Sequence, residues 1–257
     1  MDNHRRLVSY KTILRREIVR FTRIWTQTIL PPVITTTLYF LIFGALIGSR
    51  IGTIEGFSYM EYIVPGLIMM SIITNSYANV VASFYGSKFQ RNIEEMLVSP
   101  TPNYVIVLGF ISGGVARGLC VGLVVFLVSL MFTDLRIQHP GVVVSIALLT
   151  SVLFSLAGLI NAVFANSFDD INIVPTFVLT PLTYLGGVFY SISMLPAVWQ
   201  KVSLANPILY MVNGFRFGIL GVSDIDIFMS YAIIVALVIV LFAFSLYLLN
   251  KSAGLRA

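Results

Sequence analysis

The sequence predicts an all-α protein that crosses a membrane six times, and three observations support this fold class. Hydrophobic residues make up 58% of the 257 residues and charged residues only 11%, whereas an ordinary soluble domain has about 25% charged residues. The mean hydropathy is +0.93. Six long apolar stretches follow one another along the chain, and a soluble domain cannot cover so much apolar surface with so few polar groups.

The first element is an amphipathic helix over residues 7–25. Its apolar residues recur at spacings of three and four, which places them on one helical face. They are Leu7, Tyr10, Leu14, Ile18, Phe21 and Trp25, and the other faces carry Arg15, Arg16, Arg20 and Arg23. A basic amphipathic helix with aromatic anchors is typical of the membrane interface. The alternative, a surface helix of a soluble domain, is disfavoured because a predicted spanning helix follows directly.

Six membrane spans follow, and they belong to a single domain, residues 1–257. A span needs about 20 residues, and the fifth stretch only just reaches that length. The predicted spans are residues 27–48, 62–85, 103–132, 141–165, 173–192 and 225–249. Prolines in or near three of them are tolerated where neighbouring groups satisfy the freed carbonyls.

The distribution of Lys and Arg predicts that both termini are cytoplasmic. Eleven basic residues fall on the side of the termini and four on the other, and such a bias marks the cytoplasmic face. The eleven are Arg5, Arg6, Lys11, Arg15, Arg16, Arg20, Arg23, Lys88, Arg91, Lys251 and Arg256, and the four are Arg50, Arg136, Lys201 and Arg216. We therefore attribute the formal charge of +5 to topology and not to nucleic-acid binding.

The loop between the second and third spans is predicted to form a short helix over residues 87–98. Ser87 and Gln90 have the spacing of a capping box, and Pro100 and Pro102 end the helix. The predicted apolar stripe consists of Phe89, Ile93, Met96 and Leu97, and the other faces carry Lys88, Arg91, Glu94 and Glu95. Two interpretations are equally open: the stripe lies in a groove of a soluble partner, or it rests on lipid headgroups.

A polar stripe in the second span is a candidate lining for a transport pathway. Its residues recur every fourth position and share one helical face. They are Ser71, Asn75, Asn79 and Ser83. Hydrogen bonding between helices is the commoner role of such residues in membranes. Aromatic residues such as Tyr39, Phe40 and Tyr184 suit stacking on sugars or simple packing.

Arg117 is a second candidate for a pathway or gate. It lies in the third span among glycines at positions 109, 113, 114, 118 and 122, whose spacing of four lets another helix approach closely. A charge deep in a span is costly and usually faces a partner or a wet cavity. The structural alternative is that Arg117 snorkels to the interface or pairs with Asp169 or Asp170.

Residues 196–220 are predicted to form a half-inserted helical hairpin on the outer side. Pro196 can start one helix, which includes Trp199, and Asn206-Pro207 can start a second. The second helix carries Tyr210, Phe215 and Arg216. Neither is long enough to span, so both must be buried against protein. The hairpin acts either as an outer lid or only in packing.

The sequence lacks the motifs of an enzyme or an ion-coupled carrier. It has no G-x-x-x-x-G-K-[ST] phosphate loop, no convergent catalytic set and no H-E-x-x-H metal motif. Cys120 is the single cysteine, and His4 and His139 are far apart, so we expect no disulfide and no metal site. No span has a carboxylate near its centre, as coupled carriers usually need. We expect this chain to bind no cofactor, and any transport energy to come from another subunit.

Three motifs in these segments resemble one family of transport proteins. The run Arg91–Pro100 resembles the coupling-helix motif of ABC-2-type transporter permeases. The run Pro181–Tyr190, and Asn206-Pro207 followed by Phe215-Arg216, resemble the C-terminal signature of the same family. The resemblance covers essentially the whole chain.

The resemblance implies the permease subunit of an ATP-driven exporter in a bacterial inner membrane. Members of the family pair as two permeases with two cytoplasmic ATPase subunits, which bind ATP and Mg²⁺. They usually export substrates such as polysaccharides, lipid-linked glycans and drugs. We therefore expect a homodimer surrounded by lipid, with no nucleic-acid partner. The resemblance places the contact with the ATPase at Phe89, Arg91, Ile93, Glu94, Glu95, Met96 and Leu97.

Two other functions stay open on the sequence alone. The first is an ion-coupled secondary transporter or a channel, which would transport without ATP and follow an ion gradient. The second is a membrane-embedded scaffold or enzyme, which would be supported by turnover in the purified single chain.

Overall fold

The computed structural model describes residues 3–48 and 52–251, without the side chains at positions 45–47. Arg50 and Arg256, which enter the count of basic residues above, lie outside the described residues. Eleven α-helices and one two-stranded hairpin are present in the described part. The helices are α1 (Asn3–Arg23), α2 (Trp25–Tyr39), α3 (Tyr59–Phe89), α4 (Asn92–Val98), α5 (Asn103–Ser129), α6 (Pro140–Phe164), α7 (Asp170–Val174), α8 (Thr180–Tyr184), α9 (Ala197–Leu204), α10 (Pro207–Leu220) and α11 (Ile227–Lys251). The antiparallel hairpin pairs β1 (Thr53–Ile54) with β2 (Phe57–Ser58).

Five helices are long and apolar enough to cross a membrane. They are Trp25–Gly44, Tyr59–Phe89, Asn103–Ser129, Pro140–Phe164 and Ile227–Lys251. These helices fall on the first, second, third, fourth and sixth predicted spans. The first continues beyond α2 as a π-helical stretch, Phe40–Gly48.

The fifth predicted span, residues 173–192, is not a single long helix. Its helical part comprises three consecutive pieces of five residues each: α7, a π-helical turn (Pro175–Leu179) and α8, together about 22 Å long. Pro175 and Pro181 each remove a backbone donor, and Gly187 has a left-handed φ of 71°. The prediction of a 20-residue helix is therefore wrong for this segment.

Residues 168–190, which we call the interrupted segment, nevertheless run along most of α3. At one end the ring of Phe168 lies 4.9 Å from that of Tyr85. At the other end the backbone of Val188 packs on Gly66, so closely that a Cβ at Gly66 would lie 2.6 Å from the Val188 carbonyl oxygen. Tyr85 and Gly66 are 19 residues apart in one helix, or about 28 Å. A short helix followed by an extended stretch thus covers the length along α3 that the predicted fifth span was expected to cover as one helix.

Helix α3 is the centre of the fold. It is 31 residues long and buries most of its residues, and it makes its most extensive contacts with α5 and α6. A capping box fixes its start: the N–H of Glu61 donates to Ser58 Oγ, and the N–H of Ser58 donates to the Glu61 carboxylate at 2.9 Å. These two hydrogen bonds satisfy backbone N–H groups that the start of a helix leaves unpaired.

Glycines let α5 approach its neighbours on two faces. A Cβ at Gly118 would lie 1.9 Å from Ser76 Oγ of α3. On the other face, a Cβ at Gly113 would lie 2.4 Å from Glu17 Cβ of α1. Because neither distance leaves room for a methyl group, these positions require glycine for the observed packing.

The N-terminal helix α1 packs on α5. Ile13, Glu17 and Phe21 are buried against the bundle. The predicted apolar face is divided: Leu7 and Ile18 are exposed, Phe21 is buried, and the Tyr10 hydroxyl shares a hydrogen bond with Ser112 of α5. Trp25 begins α2, so the helix covers Asn3–Arg23 and not the predicted residues 7–25. The placement of α1 at the membrane interface stays a prediction.

Candidate functional site

A furrow runs along α3 beside α2 within the membrane-spanning part of the chain. Its volume is about 330 Å³. The polar residues that line it are Gln27, Thr28, Thr35, Thr36, Ser71, Thr74, Asn75 and Arg117, and its apolar wall includes Leu67, Met70 and Ala78. Three predicted pathway residues, Ser71, Asn75 and Arg117, therefore lie together. We call this feature the membrane furrow.

The predicted polar stripe divides between two parts of α3. Ser71 and Asn75 line the furrow, whereas Asn79 and Ser83 are buried and bond to α1. The pathway role predicted for Asn79 is therefore replaced by a contact between helices. Neighbouring turns of one helix face different partners here, which spacing along α3 cannot show.

Arg117 faces the membrane furrow and does not pair with the predicted carboxylates. Its Nη2 lies 3.4 Å from Asn75 Oδ1, which is a weak hydrogen bond. Asp170 is engaged elsewhere, because its carboxylate accepts the N–H groups of Asn166 and Ser167 at 2.9 and 3.1 Å. These bonds lower the pKa of Asp170. Pairing of Arg117 with Asp170 is therefore wrong, and no salt bridge to Arg117 forms among the described residues.

An aromatic cluster lies where the membrane furrow meets the interrupted segment. The hydroxyls of Tyr39 and Tyr184 are 3.3 Å apart and share a hydrogen bond. The rings of both residues lie within 6 Å of the Phe189 ring, at 5.5 and 5.8 Å. Tyr39 also lines the furrow. The predicted pathway residue Tyr184 therefore contacts the furrow through Tyr39.

A buried carboxylate in α1 bonds to the part of α3 that follows the membrane furrow. Glu17 has no exposed surface, and its carboxylate accepts hydrogen bonds from Arg20 at 3.0 Å and from Ser83 Oγ at 2.6 Å. Arg20 also donates to the main-chain and side-chain oxygens of Asn79, at 2.9 and 2.8 Å. We call these four residues the Glu17 cluster. Sequence analysis missed Glu17, although it is the single acidic residue of α1, among seven basic ones.

The predicted coupling helix begins later than expected. Ser87 is still in α3, where its hydroxyl donates to the Ser83 carbonyl at 3.0 Å, so the predicted capping box does not form. Phe89 is the last residue of α3. Arg91 has a left-handed φ of 60°, which breaks the helix, and α4 starts at Asn92. The predicted bounds 87–98 therefore combine the end of α3 with α4.

The predicted apolar stripe of this helix mostly faces the protein itself. Ile93 is fully buried, and Met96 and Leu97 pack against the same core. Phe89 alone is strongly exposed, at 65%. The chain itself therefore covers part of the stripe, and the contact of these residues with an ATPase stays a prediction. The surface that α4 and its approach leave exposed consists of Phe89, Arg91, Asn92, Glu95 and Val98, with Glu94 half-buried.

The exposed surface around α4 is joined to the loop that follows α6. Lys88 Nζ donates to the carbonyls of Val163 and Ala165 at 2.8 and 2.7 Å, which satisfies free carbonyls at the end of α6. The Phe89 ring lies 5.1 Å from the exposed ring of Phe168. These contacts fix the end of α3, which leads into α4, relative to the end of α6 and the loop after it.

The outer hairpin is formed by α9 and α10. Asn206 caps α10, because its Oδ1 accepts the N–H of Ile208 at 3.0 Å, and its Nδ2 donates to the Leu182 carbonyl at 2.6 Å. Pro207 occupies the first turn of α10. The Tyr210 hydroxyl donates to the Leu204 carbonyl at 2.7 Å. These residues hold the hairpin together and join it to the interrupted segment.

Arg216 is fully buried at the centre of the outer hairpin. Its Nη2 donates to the Gly187 carbonyl at 2.6 Å, and its guanidinium lies 4.0 Å from the ring centroid of Tyr62. Trp199 differs from it, since half of its surface is exposed on α9. Among the hairpin candidates, Trp199 therefore faces outward, and Arg216 is bonded within the protein interior.

Comparison with known proteins identifies the family. The sequence model of the ABC-2 type transporter family matches residues 8–220. The chain belongs to the ABC-2 type transporter family. It is 58% identical over 251 residues to the inner membrane transport permease YadH of Escherichia coli strain K12, covering 97% of this chain and 98% of that protein. It is 22% identical over 245 residues to nodulation protein J of Rhizobium leguminosarum bv. viciae, covering 95% of each chain.

Membership of the ABC-2 family agrees with the architecture described above. The match to an inner membrane permease and the apolar helices identify an inner membrane protein. The family match also spans the helices that form the membrane furrow and α4. An ABC-2 permease is a transport subunit, and the features to be explained are therefore its pathway and its attachment to an energy source.

Proposed function

We propose that this ABC-2 permease provides the membrane pathway of an ATP-driven exporter. A separate cytoplasmic ATPase subunit binds ATP and Mg²⁺, and two copies of the permease pair in the membrane. The substrate class is a glycan, a lipid-linked molecule or a drug-like amphiphile. Family membership does not favour the alternative, an ion-coupled secondary transporter or channel.

One observation carries this proposal: a single unbroken helix connects the membrane furrow to the cytoplasmic surface. Ser71 and Asn75 line the furrow, and Phe89 ends the same 31-residue helix next to α4. Ile93 anchors α4 in the core, so α4 cannot move without its neighbours. A force applied to the exposed side of α4 therefore reaches the furrow through α3.

We propose that the ATPase binds the exposed surface formed by Phe89, Arg91, Asn92, Glu95 and Val98. Closure of the ATPase pair on ATP shifts the permease between inward-open and outward-open states, by binding one state better than the other. The buried side of α4 holds the helix rigid, and the exposed side supplies the contact. Both termini are on this cytoplasmic side.

The position of the membrane furrow supports the proposed pairing of two copies. The furrow is open on one side, and α2 has little of its surface covered by the rest of the chain. Leu30, Ile34 and Leu38 are exposed along it. A second copy placed against α2 would close the two furrows into one pathway with polar walls.

The test compares two exposed valines on opposite sides of the membrane. Val98 is 88% exposed on α4 and Val198 is 72% exposed on α9. The permease is purified gently from native membranes in the wild-type, Val98→Asp and Val198→Asp forms, and co-purified ATPase activity is measured. We expect Val98→Asp to lose the ATPase subunit and Val198→Asp to retain it.

Other outcomes contradict specific parts of the proposal. If Val98→Asp retains the ATPase and full coupled hydrolysis, the docking surface is wrong. If the wild-type chain is recovered alone, without ATP hydrolysis under conditions that preserve other transporters, the ion-coupled alternative replaces the proposal.

A further inference from the structure

A second groove lies between α1 and the cytoplasmic end of α3, below the Glu17 cluster. Its volume is about 490 Å³. Three arginines of α1 line it, Arg16, Arg20 and Arg23, and α3 and α4 contribute Gln90 and Asn92. We call it the basic groove. Neither the family match nor the membrane furrow accounts for it.

The basic groove has more positive charge than its own chain neutralises. Glu17 is its one acidic neighbour, and this carboxylate is shared between Arg16, at 3.4 Å, and Arg20, at 3.0 Å. Arg23 forms no ion pair within residues 3–48 and 52–251. Two guanidinium groups thus share one carboxylate, and Arg23 adds a third positive charge, which leaves a net charge of about +2 at the groove.

The groove also retains free hydrogen-bond donors. The side chains of Arg16 and Arg20 are 40% and 31% exposed. Arg16 is only weakly bonded to Glu17, because 3.4 Å is long for such a bond, and Arg20 is held in place by Asn79. The Glu17 cluster therefore positions one arginine rigidly and leaves two others able to donate to a ligand. Guanidinium groups arranged in this way suit the oxygens of a phosphate.

The edge of the basic groove is apolar and continues onto the lipid-facing side of the protein. Val19 and Ile24 are part of its wall. Val19 is 45% exposed, and Trp25 follows at 58% exposed. A ligand with its phosphate among the arginines would find a surface for hydrocarbon chains directly beside it. A soluble anion would use the first feature and not the second.

We propose that the basic groove binds the phosphate headgroup of an anionic phospholipid of the cytoplasmic leaflet. The phosphate lies among Arg16, Arg20 and Arg23, and Gln90 and Asn92 donate to the headgroup from the opposite wall. The acyl chains lie against Val19 and Trp25. Bound there, the lipid joins α1 to the end of α3, which carries α4. The site does not depend on the proposed ATPase or on export.

The test uses the purified full-length permease and measures bound lipid by native mass spectrometry. Phosphatidylglycerol and phosphatidylcholine with identical acyl chains are the two probes. The groove variant is Arg16→Gln/Arg23→Gln, which leaves Arg20 in the Glu17 cluster. The matched control is Arg5→Gln/Arg15→Gln, because these arginines are exposed on the same helix and line no part of the groove.

Specific binding predicts a difference between the two variants. One basic residue near an anionic headgroup contributes about fivefold to affinity, so the groove variant is expected to bind phosphatidylglycerol about 25-fold more weakly. The control variant is expected to change affinity less than about threefold, because exposed charges interact weakly. Phosphatidylcholine is expected to bind weakly to all forms.

Three results would overturn the proposal. Equal losses in the two variants would show that only the net charge of α1 matters. Equal binding of the two lipids by the wild-type protein would show no selection for anionic headgroups. Displacement of phosphatidylglycerol by inorganic phosphate at low millimolar concentration would assign the groove to a soluble anion in place of a lipid.

Discussion

Replacement of Glu17 by alanine tests whether the Glu17 cluster fixes α1 to the bundle. The substitution removes the hydrogen bonds from Arg20 and Ser83 to the carboxylate, together with the long contact from Arg16. It also leaves a gap beside Gly113, where α1 and α5 are in their closest contact. Because Glu17 is fully buried, water does not replace the lost partners without opening the interface.

The expected loss follows from these contacts. A hydrogen bond to a charged group contributes about 1.5–3 kcal/mol. The Arg20 bond counts at the low end, since its side chain is 31% exposed and keeps both oxygens of Asn79. The Ser83 hydroxyl is left buried without an acceptor, which costs about 1–3 kcal/mol. We expect Glu17→Ala to lower the free energy of unfolding by about 3 kcal/mol, and Glu17→Gln by about half as much, since an amide still accepts from Ser83.

The assay is unfolding by SDS in mixed micelles, followed by circular dichroism, with Arg15→Ala as the exposed control on the same helix. A double-mutant cycle with Ser83→Ala isolates the shared bond. We expect the double variant to lose about 1 kcal/mol less than the two single variants combined. The reasoning is refuted if Glu17→Ala is no more destabilising than Arg15→Ala, or if its effect adds fully to that of Ser83→Ala.

Two further predictions concern other contacts. Gly118→Ala places a methyl group 1.9 Å from Ser76 Oγ and is expected to lower the free energy of unfolding by about 1–3 kcal/mol, as overpacking does. Adding Ser76→Gly to the same chain should raise the lowered melting temperature part of the way back. An unchanged melting temperature for Gly118→Ala would contradict the close packing. The lowered pKa of Asp170, caused by the N–H donors of Asn166 and Ser167, means that folding favours the ionised carboxylate, so its contribution to stability is present above the ordinary pKa and is lost as the pH falls below about 4. We expect the stability difference between wild type and Asp170→Asn to shrink between pH 6 and pH 3 in thermal unfolding, and a difference independent of pH would contradict this assignment.

The apolar sequence itself determined the main part of the fold. An apolar run of more than 20 residues has few alternatives to a spanning helix in a bilayer, and five long helices fall on predicted spans. The family resemblance, read from short motifs such as Arg91–Pro100, is confirmed by the family match. The fifth span differs because its helical part, residues 170–184, contains a π-helical turn and ends before Gly187, while the chain still follows α3.

The site was only partly accessible from the sequence. Spacing of four correctly placed Ser71 and Asn75 on one face, and the structure adds Arg117 to the same furrow. The direction of Ile93 and the burial of Glu17 were not predictable in the same way. Glu17 is a single acidic residue in a basic helix, and nothing within α1 indicates that Ser83 of α3 lies within hydrogen-bond distance of it.

The physical reason for this division lies in what a helix can encode by itself. Periodicity and hydropathy act within one segment, so the sequence alone determined where the helices of this protein run and which residues share a face. What covers each face depends on the neighbouring helices. Only the tertiary structure decided that Ile93 turns into its own core, that Glu17 bonds to α3, and that three arginines of α1 converge on one groove.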